Sequence, residues 1–198
     1  MQSDDTQGRV ALPSELQGLL DQVAAAEGEA RTLVAGLTDA QANWQPDGGR
    51  AWSVAQCLDH LGRIQRFYTD AVLPIVRDAA ARPSGVCSGL APGFLGRKFV
   101  QSQEPPPTRR MTAPKQIVPG SSIPVAQALE GFVASHAGYR ELVGLATSVD
   151  TNHVIVRNPF LPIIRMKLST VLLVLPAHDR RHLWQARQVM AAPGFPRG

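Results

Sequence analysis

The chain has 198 residues, 44% of them hydrophobic, which is enough to bury one core without disulfide or metal staples. Its formal charge of +4 comes mostly from scattered arginines, with Arg109-Arg110 and Arg180-Arg181 as the only adjacent pairs. No basic stripe with interleaved aromatics appears, so nucleic acid is not an expected partner. Two cysteines, Cys57 and Cys87, make no disulfide framework. The start, MQSDDTQGRV, has no apolar signal region, and the most apolar run, TVLLVLPA, is far short of the roughly 20 residues that span a bilayer. The expectation is a cytoplasmic protein without a membrane segment.

Residues 1–13 read as a flexible N-terminus, 14–190 as one helical domain and 191–198 as a C-terminal tail. The first helix opens at PSELQGLL, with Ser14 as its cap and Gln17 completing a capping box. Leu16, Leu20, Val23, Ala30, Val34 and Leu37 form its apolar stripe, which predicts a helix over 14–36. A short helical turn follows Thr38, and Pro46 and Gly48-Gly49 then break the chain. The second helix, over 53–80, starts at WSVAQCLDHLGRI, where Ser53 and Gln56 hold the capping-box positions. Its stripe is Val54, Cys57, Leu61, Ile64, Tyr68, Ala71 and Ile75, and Pro74 should kink or end it.

From 82 to 122 proline, glycine and serine are dense. This segment reads as a long crossover packed along the bundle, mostly irregular, with GFLGRKFVQ as a candidate short helix. The third helix, over 123–147, opens with Ser122 as cap and Pro124 in the first turn. It carries Val125, Leu129, Phe132, His136, Tyr139, Val143 and Ala146 along one face. HVIV is a candidate strand and NPFLP a turn. The fourth helix spans 169–190, with Pro176 bending it or starting it afresh. Four amphipathic helices and one long crossover make an all-α four-helix bundle.

His178 and His182 are four residues apart, so they share one helix face, and that face also carries Val171, Leu175 and Val189. Two inward imidazoles need partners, and a shared metal ion is one. His60 lies on the seam flank of the second helix, where an antiparallel neighbour can bring it to the pair. Three imidazoles leave a position open for a substrate, as in catalytic zinc sites. Since only neutral imidazole ligates, affinity should fall as pH drops through roughly 6.5. Cys57 is a weaker fourth candidate, better read as core. Asp59 and Asp179 adjoin the histidines as candidate acceptors or proton carriers, with salt bridges to Arg63 and to Arg180-Arg181 as the plainer fate. His153 reads as a solvated loop residue. His136, Phe67 and Tyr139 are the expected pocket lining. Trp44, Trp52 and Trp184 read as packing residues, Trp52 stapling the start of its helix.

WSVAQCLDHLGRI followed by the distant HDRRHLWQARQV resembles the DinB-like superfamily of four-helix proteins. LVAGLTDAQANWQP is also similar to that family's short element ahead of the second helix. The resemblance runs from about Leu16 to Met190. It implies an up-down-down-up bundle, often a homodimer. It also implies one divalent metal ion, zinc or nickel by ligand chemistry, held by His60, His178 and His182. Members include bacillithiol transferases and a mycothiol-dependent isomerase. The implied activity is therefore transfer of a low-molecular-weight thiol, the cosubstrate, to a small-molecule substrate. A metal-dependent hydrolase that activates water, or a metal-binding stress-response module without turnover, is the alternative.

Overall fold

The computed structural model describes residues 13–82, 86–107 and 112–197. The expected flexible N-terminus, up to residue 12, and the Arg109-Arg110 pair lie outside them. The elements are α1 (Ser14–Val34), α2 (Asp39–Ala42), α3 (Val54–Ala80), α4 (Gly93–Gln103), α5 (Val125–Leu145), strands β1 (Ile155–Arg157) and β2 (Arg165–Lys167), and α6 (Leu168–Ala191). The protein is all-α apart from this small hairpin.

Cross-helix pairs fix the directions of the four long helices. Gly62 faces Gly131 and Thr69 faces Gly138, so α3 and α5 run parallel. Gln22 meets Arg180 and Glu29 meets Arg187, so α1 and α6 are parallel too. Trp52 meets His182 whereas Gln65, further along α3, meets Asp179, so α3 and α6 are antiparallel. The result is the up-down-down-up order, in which parallel α3 and α5 need the long crossover to return the chain to the same end. Their contact is close because Gly62 and Gly138 have no side chains to hold the helices apart.

The capping boxes form where a β-region residue precedes the helix. Ser53 Oγ accepts from Gln56 N at 3.2 Å while Gln56 Oε1 accepts from Ser53 N at 3.0 Å. Thr38 and Gln41 do the same for α2. The caps expected from Ser14 and Ser122 do not form. Pro13 and Pro124 occupy those N-cap positions, and Gln17 turns its side chain to Asp21. The first N–H of α5 is instead satisfied by Asp39 Oδ1 at 2.8 Å, a carboxylate from α2.

The stripe of α3 also drifts. Ala71 and Ile75 are exposed, and Val72, Leu73 and Val76 are buried in their place. A 3.6-residue turn slowly rotates any series spaced by threes and fours.

Both interior prolines are accommodated within continuous helices. Pro176 has no N–H for the carbonyl four residues before it. That carbonyl, Leu172 O, accepts instead from the Tyr139 hydroxyl at 2.5 Å. The crossover is irregular except for α4, which packs on α6, and one 3-10 turn at Lys115–Ile117. The strand expected in HVIV pairs Val156 with Met166 in an antiparallel hairpin that leads straight into α6. At the chain end, Phe195 packs edge-on against Trp44 and Pro196 O accepts from Gln41. Among the described residues no helix is long and apolar enough to cross a membrane.

Candidate metal centre

The antiparallel register of α3 and α6 places His60 opposite the His178–His182 face. One ring nitrogen from each of the three lies within 4.8 Å of the other two. The closest approach is between His60 Nε2 and His178 Nε2, at 3.1 Å. The other nitrogens of these two rings are committed elsewhere. His60 Nδ1 lies 2.8 Å from Ile117 O, and His178 Nδ1 lies 2.9 Å from Gln103 Oε1. A carbonyl oxygen only accepts, so each Nδ1 carries the proton and each Nε2 presents a lone pair. Two lone pairs then face each other at 3.1 Å with no proton between them. A cation between them resolves that repulsion. Two nitrogens on one tetrahedral zinc, at about 2.0–2.1 Å each, stand about 3.3 Å apart. His182 Nδ1 is buried without a hydrogen-bond partner. The donor set therefore fits a divalent ion.

Electrostatics favour the ligating form. Burial pushes the pKa of His60 down, partly offset by its bond to Ile117 O. Burial holds His178 and His182 well below the ordinary histidine range, and positive charge on neighbouring histidines and Arg181 deepens the shift. All three are thus neutral near pH 7, as metal binding requires.

The crossover braces the cluster. Gln103 and Ile117, which hold two of the rings, both belong to it. Arg180 forms a two-pronged pair with Glu104 at 3.0 and 2.5 Å, and Arg181 Nη1 donates to Ser102 O at 2.8 Å. These bonds fasten the end of α4 to α6. Trp52 covers the histidines, with its ring centroid 4.6 Å from that of His60 and 5.6 Å from that of His182. A cavity of about 1360 Å³ opens beside the cluster and takes His60, His178 and His182 into its wall.

The three residues expected to line that cavity sit elsewhere. His136 is fully buried between Glu27 Oε1 at 3.0 Å and Asp179 Oδ2 at 3.2 Å. Tyr139 serves the Leu172 carbonyl, and Phe67 stacks on Phe160 with centroids 4.7 Å apart. His136 and Tyr139 are buried in the bundle interior and Phe67 packs against the wall residue Phe160, while the wall itself is built by Trp52, Ile64, Tyr68, Phe160, Leu175 and Trp184 among others. Cys57 is in the core, its thiol pKa pushed up by burial, and is not part of the cluster. Asp59 pairs with Arg63 at 2.6 Å. Asp179 does not pair with the neighbouring arginines; it accepts from Gln65 at 3.0 Å and from His136, and burial raises its pKa. His153 is exposed and bonds Asp150.

Sequence reasoning missed Gln103, the Ile117 carbonyl and the ring contact of Trp52. Gln103 ends the segment already read as a short helix. No residue pattern marks it as a histidine partner, because its role comes from how α4 docks on α6.

Comparison with known proteins agrees with this architecture. The family model described as DinB superfamily matches residues 22–186, which include all three histidines. No curated protein and no solved structure gives a significant match.

Proposed function

This chain belongs to the DinB superfamily, and we propose that it is a divalent-metal-binding member that transfers a low-molecular-weight thiol to a small-molecule electrophile. The observation that carries the reading is the pair of imidazole lone pairs facing each other at 3.1 Å, with each opposite nitrogen held by a carbonyl. His60, His178 and His182 would hold the ion, and zinc or nickel suits an all-imidazole set. Bound there, the ion supplies Lewis acidity and favours the anionic form of a coordinated thiol.

The remaining work falls to the chain itself. Ile117 O and Gln103 orient the rings and keep their protons on Nδ1. Trp52 shields one side of the cluster from water. The cavity receives the second reactant within reach of the histidines. Thiol transfer is favoured over hydrolysis by the composition of the wall. Among the described residues that line the cavity, Asp47 is the one carboxylate. Hydrolysis generally uses a carboxylate or similar group to manage the protons of water, whereas a thiolate needs none once formed.

The test is elemental analysis of purified protein after exposure to zinc or nickel and removal of excess. Conjugation of small thiols to an electrophilic dye follows. We expect about one ion per chain, loss of binding in His60→Ala, His178→Ala and His182→Ala, and thiol-dependent conjugation that needs the ion. Metal retained in the triple-alanine variant would overturn the site. Ester or amide hydrolysis without thiol dependence would replace transfer by hydrolysis.

A further inference from the structure

We propose that the cavity is two-ended, and that its lobe beyond His60 on α3 receives an apolar chain or ring system, so that the small-molecule substrate is a lipophilic, uncharged compound. The word substrate rests on the function proposed above; the lobe and its chemistry do not.

The argument follows the seam between α3 and α6. Because the two helices are antiparallel, residues after His60 on α3 face residues before His178 on α6. Going that way, the wall becomes Ile64 and Tyr68 from α3, Val174 and Leu175 from α6, and Phe160 and Ile164 from the β1–β2 connection. Going the other way the charged and amide groups enter, Asp47 and Arg50 ahead of α3 and Gln185 and Gln188 from α6, set among Trp52, Trp184, Val189 and Ala192. The histidines stand between an end that carries these polar groups and an end without a charged side chain. His60 to Tyr68 covers eight residues of helix, a run of about 12 Å.

The polar side chains of the apolar lobe, Tyr68 and Asn158, bond each other, and the Tyr68 hydroxyl keeps its hydrogen as a single neutral donor. Tyr68 Oη accepts from Asn158 Nδ2 at 3.2 Å, and Asn158 Oδ1 accepts the N–H groups of Phe160 and Leu161 at 2.9 and 3.0 Å. Burial also pushes the Tyr68 phenol up to about 12, so it adds no charge. No charged side chain lines this lobe among the described residues, since Arg50, Asp47 and Arg181 belong to the opposite end or to the cluster. An anion or a sugar placed here would lose its hydration and regain little beyond one hydrogen bond from the Tyr68 hydroxyl. An apolar body would gain from burial on every face.

The hairpin connection at the lobe's mouth adds an independent sign. Leu161 is 57% exposed, Ile163 88% and Ile164 44%, and Leu161 and Ile164 also line the cavity. Apolar side chains gathered at a cavity rim mark where an apolar ligand enters. The polar end then remains for a hydrophilic cosubstrate, and the two reactants meet at the histidines.

The experiment uses the full chain and the straight-chain primary alcohols from butanol to dodecanol as probes, titrated by calorimetry with and without zinc. We expect one site per chain and a dissociation constant that falls about fourfold for each added methylene until the lobe is filled. Replacing both exposed rim residues, Leu161→Ser with Ile164→Ser, carries little folding risk. It should weaken dodecanol at least about tenfold, with a much smaller effect on butanol and none on zinc affinity. Asp70→Asn, at an exposed position of α3 outside the cavity wall, should leave the series unchanged. Affinity that does not grow with chain length, or a double rim variant that binds dodecanol as well as the parent, overturns the proposal. Zinc binding is read separately. If zinc fails to bind while the alcohol series behaves as expected, the metal-dependent function falls and the apolar lobe stands.

Discussion

Gly62→Ala tests how the fold holds His60 in place. Gly62 lies half a turn beyond His60 on the face of α3 that touches α5. A Cβ built there would stand 3.0 Å from Gly131 O, 3.1 Å from Gly131 C and 3.2 Å from Phe132 N. Ordinary contact begins at 3.4 Å, so the closest atom falls short by about 0.4 Å. All three obstacles are backbone, which cannot rotate aside as a side chain can. The helices themselves must part. In an unobstructed helix, alanine is worth about 1 kcal/mol more than glycine. Overpacking a close contact costs about 1–3 kcal/mol. The strain should win, giving a net loss of about 1 kcal/mol, or about 2–4 °C in Tm for a domain of this size.

Gly28→Ala, in the middle of α1 with nothing within 4 Å of the new methyl, is the control. It should stabilise by about 0.5–1 kcal/mol. Urea denaturation measures both, and chelator competition should show weaker zinc binding in Gly62→Ala, because the displaced turn carries His60. If Gly62→Ala is stabilised as much as Gly28→Ala, the close approach of α3 and α5 is not a constraint and the reasoning fails.

Four further outcomes follow from the same geometry. The folded-state pKa values of His60, His178 and His182 lie below the unfolded value of about 6.5, so below that pH the unfolded chain binds more protons than the folded one. Metal-free stability should be fully present above about pH 6.5 and fall as pH drops toward the depressed values, by at most about 1.4 kcal/mol per unit per histidine; a urea midpoint that stays flat from pH 6.5 to 5 would contradict this. The same shifts move the loss of metal affinity below the pH of 6.5 expected for unperturbed histidines, which a zinc titration across pH would detect. Gln103→Leu removes the acceptor that orients His178 and should weaken metal binding about 10–100-fold, read by chelator competition; unchanged affinity would show that the crossover does not brace the site. Asp179→Ala leaves His136 Nε2 and Gln65 Nε2 without their buried acceptor and should cost about 3–5 kcal/mol in a denaturation curve, whereas a cost below about 1 kcal/mol would mean the Glu27–His136–Asp179 chain contributes little.

What the amino-acid sequence determined by itself is local. Helix positions follow from apolar residues spaced by threes and fours, and the Ser53–Gln56 box follows from two side chains one turn apart. The shared face of His178 and His182 follows from 3.6 residues per turn. These depend on contacts within a few residues, so they can be read along the chain. The same reading went astray where a neighbour in space intervened. Asp39, not Ser122, serves the start of α5, and His136 turned out to be clasped by Glu27 and Asp179 in the core.

Only the tertiary structure decided that His60 meets His178 at 3.1 Å and comes within 4.8 Å of His182, since that needs the antiparallel register of α3 and α6. It alone placed Gln103 and Ile117 O behind the rings and Trp52 over them, and it alone divided the cavity into polar and apolar ends. Each of these joins residues tens of positions apart whose partner is chosen by packing. No local pattern encodes such a choice, because the free energy that makes it is spread over every side chain buried between the helices.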